Sequence, residues 1–80
     1  AVELYIQQED KKRMFKHISR LPEDQRAVVM LRHYDELSFK EIADITGVSI
    51  NTALGRMRYA LLNLRKYFEE EQPSENDHAL

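Results

Sequence analysis

The chain has 80 residues, which suffices for one small domain and leaves no room for a deep active-site cleft. It contains no cysteine, which excludes a disulfide framework and a thiolate metal site and fits a reducing compartment. No apolar stretch approaches the roughly 20 residues of a membrane-spanning helix and no signal peptide is visible, so we expect a cytoplasmic protein without a membrane partner.

The formal net charge of −2 hides a segregated distribution of charges. Residues 69–80 contain five acids and no Lys or Arg, and removing five negative charges from −2 leaves +3. Between residues 45 and 68 the only formal charges are positive, and they are Arg56, Arg58, Arg65 and Lys66. We therefore predict a mildly basic body over residues 10–68, followed by an acidic, disordered tail over residues 69–80.

Helical periodicity without strand-like alternation predicts an all-α fold, a small four-helix domain that only two glycines and two prolines interrupt. Residues 1–9 are interpreted either as a linker from a missing upstream domain or as an extension of the first helix. That helix is predicted over residues 10–19. It ends before Pro22, which disfavours a helical residue in front of it and suits the first turn of a second helix. The second helix is predicted to reach Tyr34.

Local signals place a short third helix and the start of a fourth. Ser38 and Glu41 form the Ser-x-x-Glu capping box, in which each side chain bonds the backbone N–H of the other residue. This box begins a third helix over residues 39–45, and Gly47 ends it because the chain must turn through a left-handed conformation there. Ser49 then caps the fourth helix.

The fourth helix has the clearest pattern in the chain. Its predicted apolar stripe recurs at steps of three and four residues and comprises Ile50, Ala53, Met57, Ala60, Leu64 and Phe68. The opposite face and its shoulder carry Asn51, Gly55, Arg58, Tyr59, Leu62 and Lys66. A helix inside a DNA groove is flanked by phosphates, so a face with arginines and no acids favours DNA binding.

A short helix, a turn with glycine and a longer helix together form a helix-turn-helix. The small Ala43 allows the following helix to cross closely, and Val48 and Ile50 are expected to fill the angle between the two helices. The second helix then protrudes, and its amino-terminal turns can enter a major groove. The combination predicts DNA binding, and the alternative is a helical hairpin that contacts no nucleic acid.

Residues 21–66 resemble region four of bacterial RNA polymerase sigma factors, in particular those of the extracytoplasmic-function group. The matching pieces include "LPEDQR" from residue 21, Glu41-Ile42-Ala43, Gly47-Val48-Ser49, Thr52, Arg56 and Ala60. The resemblance implies a domain that reads the upstream (minus thirty-five) element of promoter DNA. It also implies docking on the β flap of the RNA polymerase core and, as in many relatives, sequestration by an anti-sigma factor.

Carried over by position, the resemblance implies a set of DNA-binding residues. They are Arg32, Ser38, Phe39, Lys40, Asn51, Thr52, Gly55, Arg56, Arg58 and Tyr59. Arg32 would reach the DNA from the end of the second helix, whereas Asn51 and Arg58 would face the bases. Two roles are open to Arg56, which are a DNA contact and an ion pair with Glu41.

Some residues depart from the family pattern. Leu54 and Gly55 stand where many relatives have a basic and a small polar residue, so guanine would be read mainly by Arg58. Leu54 and Leu61 are expected to widen the core stripe, whereas Leu62 points too far around the helix for that. We predict that Leu54 and Leu62 also serve to bind a protein partner.

No residue pattern indicates catalysis. His17, His33 and His78 are scattered over three segments without partners at metal-ligand spacing, and no serine lies in a nucleophile-elbow or phosphate-loop context. We therefore predict a non-enzymatic domain without metal, cofactor or small-molecule substrate. Two other functions stay open. One is the output domain of a LuxR-type response regulator, which the "LPEDQR" start disfavours. The other is a protein-interaction module, bound by an anti-sigma factor, that seldom contacts DNA on its own.

Overall fold

The computed structural model describes the backbone of residues 2–71 and the side chains of residues 10–71. Within this part the chain forms helices and turns without a strand, so the predicted all-α fold is confirmed. The four helices are α1 (Val2–Ile18), α2 (Glu23–His33), α3 (Phe39–Thr46) and α4 (Ile50–Glu70).

The helices at both ends of the described chain extend beyond residues 10–68. α1 begins at Val2, so residues 2–9 continue the first helix, which was one of the two interpretations left open for them. α4 continues through Glu70, so the prediction of disorder is wrong for residues 69 and 70. Packing of Phe68 against His17 of α1, with ring centroids 4.4 Å apart, stabilises these last turns. The rest of the predicted tail, residues 72–80, lies outside the described residues, and its disorder stays a prediction.

The turns on both sides of α3 follow the local signals. Ser38 Oγ accepts a hydrogen bond from the Glu41 N–H (3.1 Å), and the Ser38 N–H donates to Glu41 Oε1 (3.0 Å), which confirms the capping box. The bond from the Ser38 backbone, followed by the one with its side chain, holds the pKa of Glu41 below its ordinary value. Gly47 adopts the predicted left-handed conformation with φ 72°, and its N–H donates to the Ala43 carbonyl. Hydrogen bonds within a few residues therefore fix both ends of α3.

Two clusters of buried side chains hold the helices together. The first core cluster joins α1, the α1–α2 connection, α2 and α4, and it contains Ile18, Leu21, Val29, Ala60 and Leu64. The second core cluster joins α2, α3 and α4, and it contains Val28, Ile42, Ala43 and Ala53. Ala43 and Ala53 are small and buried where α3 packs on α4, so the two helices can cross closely, in line with the expectation for Ala43.

Three residues that were predicted to lie inward are exposed. Ile50 is 45% exposed and does not fill the angle between α3 and α4, where Val48 packs on the second core cluster. Leu54 and Leu61 are 44% and 53% exposed, so the prediction that they widen the core stripe is wrong. The physical reason is that the core clusters cover only one side of α4, and these three side chains lie beyond the edge of that contact.

Candidate nucleic-acid interface

One side of α4 faces the core and the opposite side faces outward. Ala53, Ala60 and Leu64 are buried. The outer face of α4, as we name it, consists of Asn51, Thr52, Gly55, Arg58 and Tyr59. Gly55 is half-buried and the other four side chains are exposed. The predicted orientation of α4 about its axis is therefore confirmed.

The amino-terminal end of α4 is capped and carries no acid in its first turn. Ser49 Oγ accepts a hydrogen bond from the Thr52 N–H (3.1 Å), which confirms the predicted cap, and donates to Thr52 Oγ1 (3.0 Å). The peptide dipoles of a helix leave partial positive charge at this end, which favours phosphate. The outer face thus begins at an end of the helix that is suited to an anionic partner.

Arg58 is the cation of the outer face. It is exposed, and no acid among the side chains of residues 10–71 forms an ion pair with it. A guanidinium without a carboxylate partner keeps its forked donors for an external acceptor, such as a phosphate or the O6 and N7 atoms of guanine.

Arg32 lies at the end of α2 and is tied to the connection that precedes α3. Its Nη1 donates to the Leu37 carbonyl (2.9 Å), and its guanidinium carbon lies 5.2 Å from the centre of the Phe39 ring. The structure therefore brings Arg32 and Phe39 together, whereas the Ser38 hydroxyl is engaged in the capping box. Lys40, in the first turn of α3, is exposed.

Arg56 has a different ion-pair partner from the one expected. Its Nε lies 3.7 Å from Asp24 Oδ2 at the start of α2, so the ion pair with Glu41, one of the two roles left open for Arg56, is not formed. Glu41 is held by the capping box, and Arg56 sits on the flank of α4 that faces α2. A DNA contact from Arg56 would have to compete with this ion pair. The sequence contained no signal for Asp24, because the pairing depends on how α2 crosses α4.

An apolar groove lies beside the outer face. It is a surface cavity of about 440 Å³ between the start of α3 and the middle of α4, and it is lined by Phe39, Leu54, Met57, Arg58, Leu61, Leu62 and Arg65. Leu62 is 55% exposed, like its two leucine neighbours in the groove. An exposed apolar patch with arginines at its edge is typical of a surface that binds another protein. Sequence reasoning singled out Leu54 and Leu62, but missed Leu61 and Arg65 as members of the same surface.

The histidines do not form a reaction centre in the described part of the chain. His17, near the end of α1, is buried against α4, and its Nε2 lies 2.8 Å from Glu71 Oε1, which indicates a structural role. Among residues 10–71 no three His, Asp or Glu side chains are grouped so that they could hold a metal ion. No helix within residues 2–71 combines the length and the apolar character that crossing a lipid bilayer requires. His78 lies outside the described residues.

Comparison with known proteins relates the chain to a family and to a curated protein. The family described as Sigma-70, region 4, matches residues 15–64, from the second half of α1 to the third quarter of α4. The ECF RNA polymerase sigma factor RpoE of Cereibacter sphaeroides is 35% identical over 65 residues, which is 81% of this chain and 36% of that protein. The chain therefore spans little more than a third of the length of this relative.

Proposed function

We propose, from the premise that this chain belongs to the sigma-70 region 4 family, that it reads the upstream (minus thirty-five) promoter element as part of a sigma factor. The resemblance drawn from residues 21–66 is confirmed by the family match, which also selects the sigma-factor interpretation over the LuxR-type one. The family consists of non-enzymatic transcription-factor domains.

The observation that carries the proposal is the outer face of α4. It combines an exposed Arg58, which has no ion-pair partner among residues 10–71, with a helix end that favours anions and has no acid in its first turn. With α4 in a major groove, Asn51 would pair with adenine and Arg58 with guanine. Arg32 and Lys40, near the junction of α2 and α3, would contact phosphates on one side and fix the register of the helix.

Selection from a random pool of double-stranded DNA at low salt tests this proposal. We expect one enriched sequence, whose binding constant falls linearly with salt concentration on logarithmic axes, because phosphate contacts release counterions. Failure to enrich any sequence would contradict promoter reading by this domain. Enrichment with a flat salt dependence would contradict the phosphate contacts.

We further propose that the apolar groove docks on another protein, in the first place the β flap of the RNA polymerase core. The relative is itself named an RNA polymerase sigma factor. The groove is apolar in its centre and has Arg58 and Arg65 at its edge, so an apolar segment with acids on its flanks would fit. An anti-sigma factor with the same chemistry could occupy this groove in place of the polymerase. The second candidate function is that of a protein-interaction module, bound by an anti-sigma factor, that seldom contacts DNA on its own. The three exposed leucines favour it.

Replacing Leu62 with Glu tests the docking proposal. A carboxylate in the groove should weaken binding of the chain to purified RNA polymerase core at least tenfold, because the apolar contact is lost and desolvating a charge is costly. Asn51→Ala is the matched control, since it alters the outer face without entering the groove and should leave core binding unchanged. Equal effects of both variants on core binding would place the contact elsewhere.

A further inference from the structure

The first two turns of α4 carry an exposed apolar pair, Ile50 and Leu54, that the core does not use. Ile50 and Leu54 are 45% and 44% exposed and lie one helical turn apart, so they are neighbours on the same flank. Neither residue belongs to the two core clusters. Leu54 lines the apolar groove, whereas Ile50 lies outside it, nearer the amino-terminal end of the helix.

This pair borders the outer face on the side of Asn51 and Arg58. Successive residues of a helix are rotated by about 100°, so Ile50, Leu54, Arg58 and Asn51 follow one another around α4 in this order. A helix that places Asn51 and Arg58 against base edges therefore places Ile50 and Leu54 in the same groove, beside them. Both side chains would be removed from water there.

The chemistry of the major groove leaves one favourable contact for such side chains. Donors and acceptors of the bases would lose their water against a hydrocarbon without gaining a hydrogen bond, which is unfavourable. The C5-methyl group of thymine is the apolar feature among the base edges, and contact between it and an aliphatic side chain buries both. Ile50 and Leu54 are about 6 Å apart along the helix axis, which corresponds to about two base-pair steps.

Gly55 makes close approach possible. It lies on the outer face, and a Cβ built there would meet no described atom within 4 Å outside its adjacent residues and the backbone of its own helix, so no packing neighbour requires a glycine. A missing side chain lets the DNA come nearer to the axis of α4. Leu54, the preceding residue, and Ile50, one turn before Leu54, can then reach the base edges.

We propose that Ile50 and Leu54 determine specificity by recognising the methyl groups of thymines about two base pairs apart in the bound element. The proposal rests on the proposed function, because it requires α4 to lie in a major groove. Base preference of this chain is then set partly by methyl contact, in addition to hydrogen bonds from Asn51 and Arg58.

Replacing thymine with deoxyuridine tests the proposal, because it removes one methyl group and leaves all hydrogen-bonding atoms in place. Each thymine of the DNA sequence selected from the random pool is exchanged in turn, and affinity is measured by fluorescence anisotropy. We expect a loss of about fourfold at one or two thymines, the factor given by burying one methylene-sized group. Leu54→Ala should abolish the loss at one of these thymines, and Ile50→Ala should abolish it at the other or reduce it at the same one.

Leu61→Ala is the matched control. Leu61 is more exposed than Ile50 and Leu54 and lies about 10 Å beyond Leu54 along α4, so this variant should keep the full difference between thymine and deoxyuridine. Circular dichroism should show unchanged helix content in all three variants, because the three side chains lie outside the core clusters. A specific sequence without a preferred thymine, or a deoxyuridine effect that both variants retain, would overturn the inference and leave promoter binding intact. If no sequence is selected at all, both proposals fail.

Discussion

Arg58 differs in its surroundings from Arg65, which lies about two turns further along the same side of α4. Arg58 has no ion pair within residues 10–71, whereas Arg65 Nε lies 3.3 Å from Glu69 Oε1, one turn further along the helix. A guanidinium in the amino-terminal half of α4 that has no carboxylate partner among the described residues is the better candidate for a bidentate contact with guanine.

Arg58→Ala is therefore expected to lower the specific affinity for DNA by about 1–3 kcal/mol and to relax the preference at one base pair. Arg65→Ala removes the same charge from the same helix and serves as the control. It should weaken all sequences slightly and alike. Parallel selection of DNA with both variants gives the measurement, and an unchanged base preference in Arg58→Ala would contradict the assignment.

At Gly55, stability of the fold and affinity for DNA are expected to favour different residues. It lies in the interior of α4, and a Cβ there would find open space. Gly55→Ala should therefore raise the free energy of unfolding by about 0.5–1 kcal/mol, because alanine favours the helical state. The same methyl group would hold DNA away from the helix, so we expect a lower affinity from the more stable protein. Urea unfolding and anisotropy on the same samples check this, and a gain in both quantities would contradict close approach at Gly55.

Caps are the features of the helices that local sequence decides. The Ser38–Glu41 box, the left-handed Gly47 and the Ser49 cap are all confirmed, because each depends on hydrogen bonds within a few residues. The start of α1 stayed open, because the stretch before residue 10 has a mixed pattern that fits a helix or a linker equally well, and the structure shows a helix from Val2.

Exposure and pairing on α4 could not be predicted to the same degree. Ile50 and Leu61 fit an apolar periodicity as well as Ala53 does, and only the width of the contact with α2 and α3 excludes them from the core. Arg56 pairs with Asp24, which is distant in sequence and near only after the helices pack. The side of α4 that faces outward was thus predictable from the sequence. Which apolar side chains border it, and which ion pairs form beside it, were not. Its proposed contacts with DNA and with other proteins stay predictions.

The cap formed by Ser49 leads to a prediction about the stability of α4. Ser49→Ala should lower the free energy of unfolding by about 1 kcal/mol, because the Thr52 N–H loses its acceptor. Ser49→Asp should keep most of the stability, since aspartate is also a good cap, but it should weaken DNA binding through repulsion of phosphates. Ser19→Ala is the control, because its hydroxyl donates to the Lys16 carbonyl at the end of α1 and caps no helix start. Chemical denaturation of the three variants distinguishes a cap from a general loss of a serine hydroxyl.

At the scale of the whole molecule, the outer face and the apolar groove are neighbouring sides of one helix. Arg58 belongs to both, and Leu54 lines the groove while it borders the outer face. A protein that fills the groove would therefore cover part of the proposed DNA contact. Simultaneous binding of DNA and of the polymerase requires the polymerase to leave the amino-terminal turn of α4 free, whereas an anti-sigma factor that extends over Leu54 would exclude DNA.

The position of α1 depends on the far end of the same helix. Arg13 Nη2 lies 3.0 Å from Glu71 Oε2, and His17 Nε2 lies 2.8 Å from Glu71 Oε1, so one carboxylate joins two residues of α1 to the end of α4. The hydrogen bond from Arg13 is the main cause that holds the pKa of Glu71 below its ordinary value, and His17 adds to it while burial opposes it. A carboxyl group whose pKa is lowered on folding stabilises the fold when ionised. Its contribution is present above the unfolded pKa of about 4.5 and is lost as the pH falls through the lower pKa of the folded state.

Glu71→Gln should therefore lower the unfolding temperature at neutral pH, and its difference from the wild type should shrink as the pH falls below about 4.5. Glu70→Gln is the matched control, because it removes a neighbouring negative charge at the same helix end, where the helix dipole disfavours acids. Glu70 pairs with the exposed Arg20 at 3.3 Å, and such surface pairs contribute little. Thermal melts of both variants across the acid range give the measurement. Equal changes in unfolding temperature for Glu70→Gln and Glu71→Gln would mean that the first core cluster alone holds α1, and that the Glu71 carboxylate does not stabilise its position.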